Sequence, residues 1–104
     1  MSGNNGNHRN LNFSLGQIVG TPGALELLEQ HGMSPAQLLS RHCAGDWGND
    51  LCIEDRQLND EARIDGSRIL SSYKLGTEKL WIITEAEDDC GQRAATTLLI
   101  SSEY

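Results

Sequence analysis

The alternation of hydrophobic and polar positions divides the chain into a group of helices followed by a group of strands. An imperfect alternation from Phe13 to Gly20 predicts one short strand at the start. Two helices should follow it. Thr21 before Pro22, and Ser34 before Pro35, each place a capping hydroxyl ahead of a proline at the first helical position.

The second and third helices differ in how much apolar surface they carry. Ser34 and Gln37 form an S-x-x-Q capping box at the start of the second helix. We expect this helix to bury three residues: Leu38, Leu39 and Cys43. Asn49 or Asp50 can cap a third helix that Gly66 ends. Its sparse apolar positions are Leu51, Leu58 and Ala62, so most of its surface should be charged.

Three further strands complete the pattern. Period-two alternation predicts a strand at 69–75, a continuous apolar run predicts a central strand at 80–84, and the last strand should span 95–100. This order predicts an α+β fold: a short N-terminal strand, three helices, then a three-stranded antiparallel meander with the helices packed on one face. Residues 1–10 are polar and rich in Asn and Gly, so we expect a disordered tail before a single α+β domain at 11–104.

The charge balance limits the kind of partner that the protein can bind. Fifteen acidic residues against eight basic ones give a net charge of −7, which repels phosphate backbones, so we expect no direct nucleic-acid binding. Seven carboxylates lie between Asp46 and Asp65, and a second cluster comprises Glu85, Glu87, Asp88 and Asp89. Such clusters either keep the surface solvated or bind a protein with a basic surface.

The sequence also predicts where the protein resides and what it lacks. Its polar beginning has no apolar core of a signal peptide, and no run approaches the length of a membrane span, so we expect no membrane association. The three cysteines show no CxxC spacing and are predicted to be free thiols in the cytoplasm. A zinc site can be considered for His42, Cys43, Cys52 and Cys90. Their spacing matches no zinc motif, so we expect neither a metal nor another cofactor.

The densest polar chemistry lies in the stretch from Arg41 to Gly48, at the end of the second helix. In a structural role, Arg41 and His42 would interact with the negative end of the helix dipole and Trp47 would cover the core. In a functional role the stretch would be a recognition corner, because Trp and Arg often anchor interfaces. A third possibility is an acid–base pair of His42 and Asp46, assisted by Glu85 or Asp50.

Several segments together resemble a known family. They are Ser14–Leu25, the residues Arg41, His42, Gly45, Asp46, Trp47 and Gly48, the run Trp81–Ala86, the run Ala95–Leu99, and the closing Glu103 and Tyr104. The chain resembles the small "plasmid-related" proteins of bacterial plasmids and integrative elements, some of which are catalogued as a type I restriction subunit. The cysteines and the Ser101–Ser102 pair depart from that pattern. The family has no established reaction to transfer.

The resemblance implies an accessory protein of a mobile element. Together with the charge it favours a non-enzymatic protein that binds a host or plasmid protein through an acidic surface, in the manner of anti-restriction or anti-CRISPR proteins. The predicted contact residues are Arg41, His42, Asp46, Trp47, Asp55, Asp60 and Glu61. Two alternatives are a small hydrolase or nuclease that uses His42 and Asp46, and a plasmid-maintenance factor. The oligomeric state does not follow from the sequence.

Overall fold

The computed structural model describes residues 13–104, so the predicted tail at 1–10 lies outside the described residues. The elements in chain order are strand β1 (Gln17–Gly20), helices α1 (Pro22–Gln30), α2 (Pro35–Cys43) and α3 (Ile53–Asp65), strands β2 (Ile69–Leu75), β3 (Glu78–Thr84) and β4 (Ala95–Ile100), and a 3₁₀ turn (Ser101–Glu103). The predicted α+β class is confirmed. None of the described helices is both long and apolar enough to cross a membrane.

The sheet is larger than predicted and is mixed. Its strand order is β1-β4-β3-β2. Strands β2, β3 and β4 form the expected antiparallel meander, but β1 joins the same sheet by pairing in parallel with β4, with Gln17 opposite Ala95. The three-stranded antiparallel sheet was therefore an incomplete prediction, because hydrophobic periodicity carries no information about which distant strands pair.

Strand β1 is also shorter than the predicted span from Phe13 to Gly20. Gly16 interrupts it with φ +64°, and a Cβ at this position would lie 2.2 Å from the carbonyl oxygen of Arg93. Only glycine fits this close approach. Phe13 is buried in a small cluster instead of extending the strand; its other members are Trp47, Ala62 and Ile69.

Local capping chemistry explains where α1 and α2 begin. The Thr21 side chain accepts a hydrogen bond from the Ala24 backbone N–H at 3.1 Å. Gln37 Oε1 accepts one from the Ser34 backbone N–H at 2.7 Å, as the capping box predicts. Both predicted starts are confirmed because each depends on residues only three positions apart.

Helix α3 begins later than predicted, with Cys52 as its N-cap. The two predicted caps contact strand β2 instead. Asn49 Oδ1 accepts a hydrogen bond from the Lys74 backbone N–H at 3.2 Å, and Asp50 Oδ2 accepts one from Ser72 Oγ at 3.2 Å. The connection before α3 therefore runs along the edge of the sheet before it turns into the helix.

That connection and α3 together block one edge of the sheet. The backbone N–H groups of β2 that point away from β3 belong to Leu70, Ser72 and Lys74. Their acceptors are Asn59 Oδ1 at 3.1 Å, the Trp47 carbonyl oxygen at 3.0 Å and Asn49 Oδ1 at 3.2 Å. Because all three donors have partners within the chain, this edge cannot add another strand.

The core lies between one face of the sheet and the helices. The larger cluster comprises Ala24, Leu27, Leu28, Leu38, Tyr73, Leu80, Ile82 and Leu98. By the strand register, its four strand members share one face of the sheet with three buried hydroxyl residues: Ser71, Thr84 and Thr96. A polar patch is thus embedded in the face that α2 covers, and His42 of α2 lies over it.

Candidate functional site

The Arg41–Gly48 corner, taken residue by residue, begins with a paired surface arginine. Arg41 Nε lies 2.7 Å from Asp46 Oδ2, and its guanidinium carbon lies 4.7 Å from the centre of the Tyr73 ring. The hydrogen bond from Arg41 holds the pKa of Asp46 below its usual range. Tyr73 donates its hydroxyl proton to the Asp46 carbonyl oxygen at 2.7 Å. Arg41 and Asp46 therefore interact mainly with each other and with Tyr73.

His42 is fully buried, with 0% of its surface exposed. Its Nδ1 contacts Ser71 Oγ, and its Nε2 lies 2.8 Å from Thr84 Oγ1. Thr84 Oγ1 in turn lies 2.8 Å from Thr96 Oγ1. His42 thus joins α2 to hydroxyls of three strands.

The direction of each hydrogen bond in this network follows from Thr96, the last residue of the network. Thr96 has one hydroxyl proton, which it donates to the Leu15 carbonyl oxygen at 2.7 Å. Thr84 must then donate to Thr96 and accept from His42 Nε2. The imidazole is accordingly the neutral Nε2–H tautomer, with Ser71 donating to Nδ1. Burial, assisted by the positive charge of Arg93, lowers the pKa of His42 to about 4, which agrees with a neutral ring.

Trp47 is also buried, with 2% of its surface exposed. Its Nε1–H donates to Asp60 Oδ1 at 3.0 Å, and the Arg63 guanidinium carbon lies 5.7 Å from the centre of its ring. The indole therefore presents almost no surface to a partner. Of the residues in the corner that were predicted to contact a partner, only Arg41 and Asp46 lie on the surface.

The arrangement does not assemble an acid–base pair. Both ring nitrogens of His42 are occupied by hydroxyls, whereas the Asp46 carboxylate is paired with Arg41. Glu85 is exposed and is not a partner of the imidazole. Burial raises the pKa of the adjacent Cys43 thiol, which disfavours a reactive thiolate. Among residues 13–104, no three His, Cys, Asp or Glu side chains are placed to hold a metal ion.

Helix α3 has a different surface. Only two of its 13 residues, Asn59 and Ala62, are buried. Its three large apolar side chains are exposed: Ile53 at 70%, Leu58 at 61% and Ile64 at 89%. Leu58, one of the sparse apolar positions noted in the sequence, thus lies on the surface. The spacing of Ile53, Leu58 and Ile64 indicates this exposure, since positions 53, 58 and 64 do not repeat at the three- or four-residue interval of a buried stripe.

The charges of α3 are sorted between its two sides. Its carboxylates Glu54, Asp55, Asp60, Glu61 and Asp65 are exposed. Its two arginines are half-buried against the protein: Arg56 donates to the carbonyl oxygens of Gly48 and Leu51, and Arg63 lies over Trp47. The outward side of α3 is therefore negative even though the helix contains both signs. We call the exposed residues Glu54, Asp55, Leu58, Glu61, Ile64 and Asp65 the α3 face.

A recess of about 240 Å³ lies beside the α3 face. Its apolar lining comes from Leu51, Leu58 and Leu70, and its polar lining comes from Asp55, Asn59 and Arg68. The volume suits one inserted side chain. Asp55 and Arg68 place opposite charges on the lining, so the recess itself favours neither sign of charge.

The two acidic clusters, which are separate in sequence, adjoin in the structure. The Glu87 backbone N–H donates to the carbonyl oxygen of Gly66, the residue that ends α3, at 2.8 Å. The loop beyond it is ordered by Asp88, whose Oδ1 accepts from the backbone N–H groups of Cys90 and Gln92 at 2.8 and 2.9 Å. Glu85, Glu87, Asp88 and Asp89 thus extend the negative surface past the C-terminal end of α3.

Arg93 is a structural residue that the sequence pattern did not reveal. Although it belongs to the polar stretch at 86–93, it is buried, with 3% exposed. It donates to the carbonyl oxygens of Ala62, Ser67 and Glu85 at 3.0, 2.8 and 2.9 Å. It therefore holds the end of α3 against the loop between β3 and β4. A single arginine among acidic residues gives no signal of this role.

No family model, curated protein or solved structure matches this chain. The resemblance to the plasmid-related proteins therefore stays a prediction. The geometry sorts the seven predicted contact residues in three ways, of which the first is exposed but paired within the protein: Arg41 with Asp46, and Asp60 with Trp47. His42 and Trp47 belong to the core, whereas Asp55 and Glu61 belong to the exposed α3 face.

Proposed function

We propose that this protein is a non-enzymatic binding protein whose α3 face contacts a basic protein surface. The proposal is supported chiefly by one feature of α3: it exposes Leu58 and Ile64 between carboxylates, whereas its arginines point toward the protein. Exposed apolar side chains of this size are common at interfaces, where a partner removes them from water. The surrounding carboxylates would steer a positively charged partner and orient it.

The proposed partner is a protein whose basic surface otherwise binds nucleic acid. A helix that carries five exposed carboxylates presents a row of negative charge comparable to a phosphate backbone, and its apolar side chains would add contacts that nucleic acid does not provide. The resemblance to proteins of mobile elements supports a host or plasmid protein as this partner, including a defence complex. The neutral, buried His42 gives no support to a hydrolase or nuclease.

Asp60 has a different role from its acidic neighbours. Its Oδ1 accepts the Trp47 indole N–H, so a charge reversal there would disturb the core as well as the surface. Within residues 13–104 no hydrogen bond joins Asp55 or Glu61 to a buried side chain, so these two residues serve as cleaner probes. The experiment therefore leaves Asp60 unchanged.

Affinity capture from a host lysate with the full chain tests the proposal. The test variant carries Glu54→Lys, Asp55→Lys and Glu61→Lys, and the matched control carries Glu26→Lys, Glu29→Lys and Glu78→Lys at exposed positions outside α3. We expect the wild type and the control to recover the same basic protein at low salt. The α3 variant should recover at least tenfold less of this protein than the wild type does.

Two further measurements make the result specific. Nucleic acid added to the lysate should compete for the captured protein, and Leu58→Ser with Ile64→Ser should weaken capture without a change in charge. The proposal is wrong if the α3 variant retains the partner, if both charge variants lose it equally, or if no basic protein is recovered at low salt.

A further inference from the structure

The second surface with exposed apolar side chains lies at the opposite edge of the sheet, on strand β1. Ile18 is 52% and Val19 is 42% exposed. Leu25 of α1 is 45% exposed, and its Cδ2 lies 3.2 Å from the position that a Cβ on Gly20 would take. Ile18 and Leu25 lie on the helix side of the sheet and Val19 lies on its other side, so β1 is apolar on both faces. No charged side chain occurs between Leu15 and Thr21.

Within residues 13–104 the outer side of the β1 backbone has no strand paired with it. Gln17 and Thr21 donate their backbone N–H groups to Ala94 and Leu98 of the β4 side at 3.1 and 3.0 Å. By the alternation of a parallel pair, the N–H and C=O groups of Ile18 and Gly20 point away from β4. The β2 edge, in contrast, has a partner for every outward donor.

An apolar groove runs beside this edge, between β1 and α2. It has a volume of about 370 Å³, and its lining contains no charged residue: Leu15, Ile18, Ala36, Leu39, Ser40, Cys43 and Ala44. The whole chain carries a net charge of −7. A second copy, which carries the same charge, can approach only where like charges do not meet. The β1 edge is such an uncharged surface.

We propose that two copies of this chain pair through β1 to form a symmetric dimer with a continuous eight-stranded sheet. In antiparallel pairing about a two-fold axis, Ile18 of one copy exchanges both backbone hydrogen bonds with Gly20 of the other, and Val19 faces its own symmetry mate. Gly20 has no side chain, so Ile18 of the other copy fits over it and contacts Leu25. The strand is thus complementary to itself. This inference is independent of the α3 face.

The mass of the full-length chain in solution, measured by light scattering and sedimentation over a concentration series, tests the dimer. Val19→Lys places two ammonium groups opposite each other on the axis, and Val19 is exposed enough that the fold should tolerate the change. Ile64→Lys, at an exposed position on α3, is the matched control. We expect the wild type and the control to show twice the monomer mass and Val19→Lys to show the monomer mass.

A cross-link locates the interface. Opposed residues of a non-hydrogen-bonded antiparallel pair have Cα atoms about 4.5 Å apart, within the range of a disulfide. In a chain with Cys52→Ser and Cys90→Ser, Val19→Cys should form a covalent dimer on mild oxidation, whereas Ile64→Cys should not. A wild type that is monomeric at all concentrations would overturn the proposal. The same holds if residues 1–12 prove to occupy the outer side of β1. A dimer that survives Val19→Lys would overturn it too.

Discussion

His42 Nε2 donates a hydrogen bond to Thr84 Oγ1 across 2.8 Å, which joins the last turn of α2 to the end of β3. The directions of the hydrogen bonds in the network determine the tautomer of the His42 ring, because Thr96 must donate to the Leu15 carbonyl oxygen. A residue that looks catalytic in the sequence is therefore a neutral structural link in the core.

Replacing His42 should destabilise the fold strongly. His42→Ala would leave a cavity and remove a partner from the hydroxyls of Ser71 and Thr84, which together should cost about 3 kcal/mol of unfolding free energy. The exposed His31→Ala serves as the control and should change stability by less than about 0.5 kcal/mol. Urea unfolding of both variants measures the difference. Equal stabilities would contradict the assigned role of His42.

Stability should fall as the pH decreases from about 6.5 toward 4, because the pKa of His42 is lowered from 6.5 to about 4. In this window the unfolded chain binds the His42 proton and the folded chain does not, so acidification favours unfolding. The full effect is about 3 kcal/mol. The measurement is the unfolding free energy as a function of pH, and the slope in this window should shrink in His42→Leu. An unchanged slope would show that the imidazole does not cause it.

Asp60 should contribute to stability through Trp47. Asp60→Ala leaves the buried indole N–H without an acceptor, at a cost of about 1–2 kcal/mol. Asp60→Asn retains an oxygen acceptor and should lose much less. Chemical denaturation followed by tryptophan fluorescence distinguishes these variants, with the neighbouring exposed Glu61→Ala as control. If Asp60→Ala and Glu61→Ala behave alike, the hydrogen bond to the indole is not stabilising.

Arg93 should be difficult to replace. Arg93→Met removes the donors to three backbone carbonyls, at Ala62, Ser67 and Glu85, and should cost about 3 kcal/mol. Arg93→Lys should rescue little, because one ammonium lacks the planar fork that reaches three acceptors. The exposed Arg68→Met provides the baseline in a thermal melt. Full rescue by lysine would mean that charge alone, and not the geometry of the guanidinium, matters here.

The elements that the sequence predicted well depend on short-range chemistry. Strands 69–75 and 95–100 have their predicted bounds, and the starts of α1 and α2 follow from a capping residue followed by proline. The sequence did not indicate whether Leu58, one of the few apolar positions of α3, is buried or exposed. The 61% exposure of Leu58 shows that α3 contributes very little apolar surface to the core. Exposure depends on what packs against a helix, which a single segment does not specify.

By itself, the sequence determined the α+β class, the capped helices and the negative charge, since each arises from residues close together in the chain or from composition. Only the tertiary structure decided that His42 is buried, because the polar patch beneath it comes from Ser71, Thr84 and Thr96 on three different strands. It also decided that β1 pairs with β4 and that no strand of residues 13–104 pairs with its other side. These outcomes depend on the register between distant segments, which the packing of the whole core sets and no local pattern encodes.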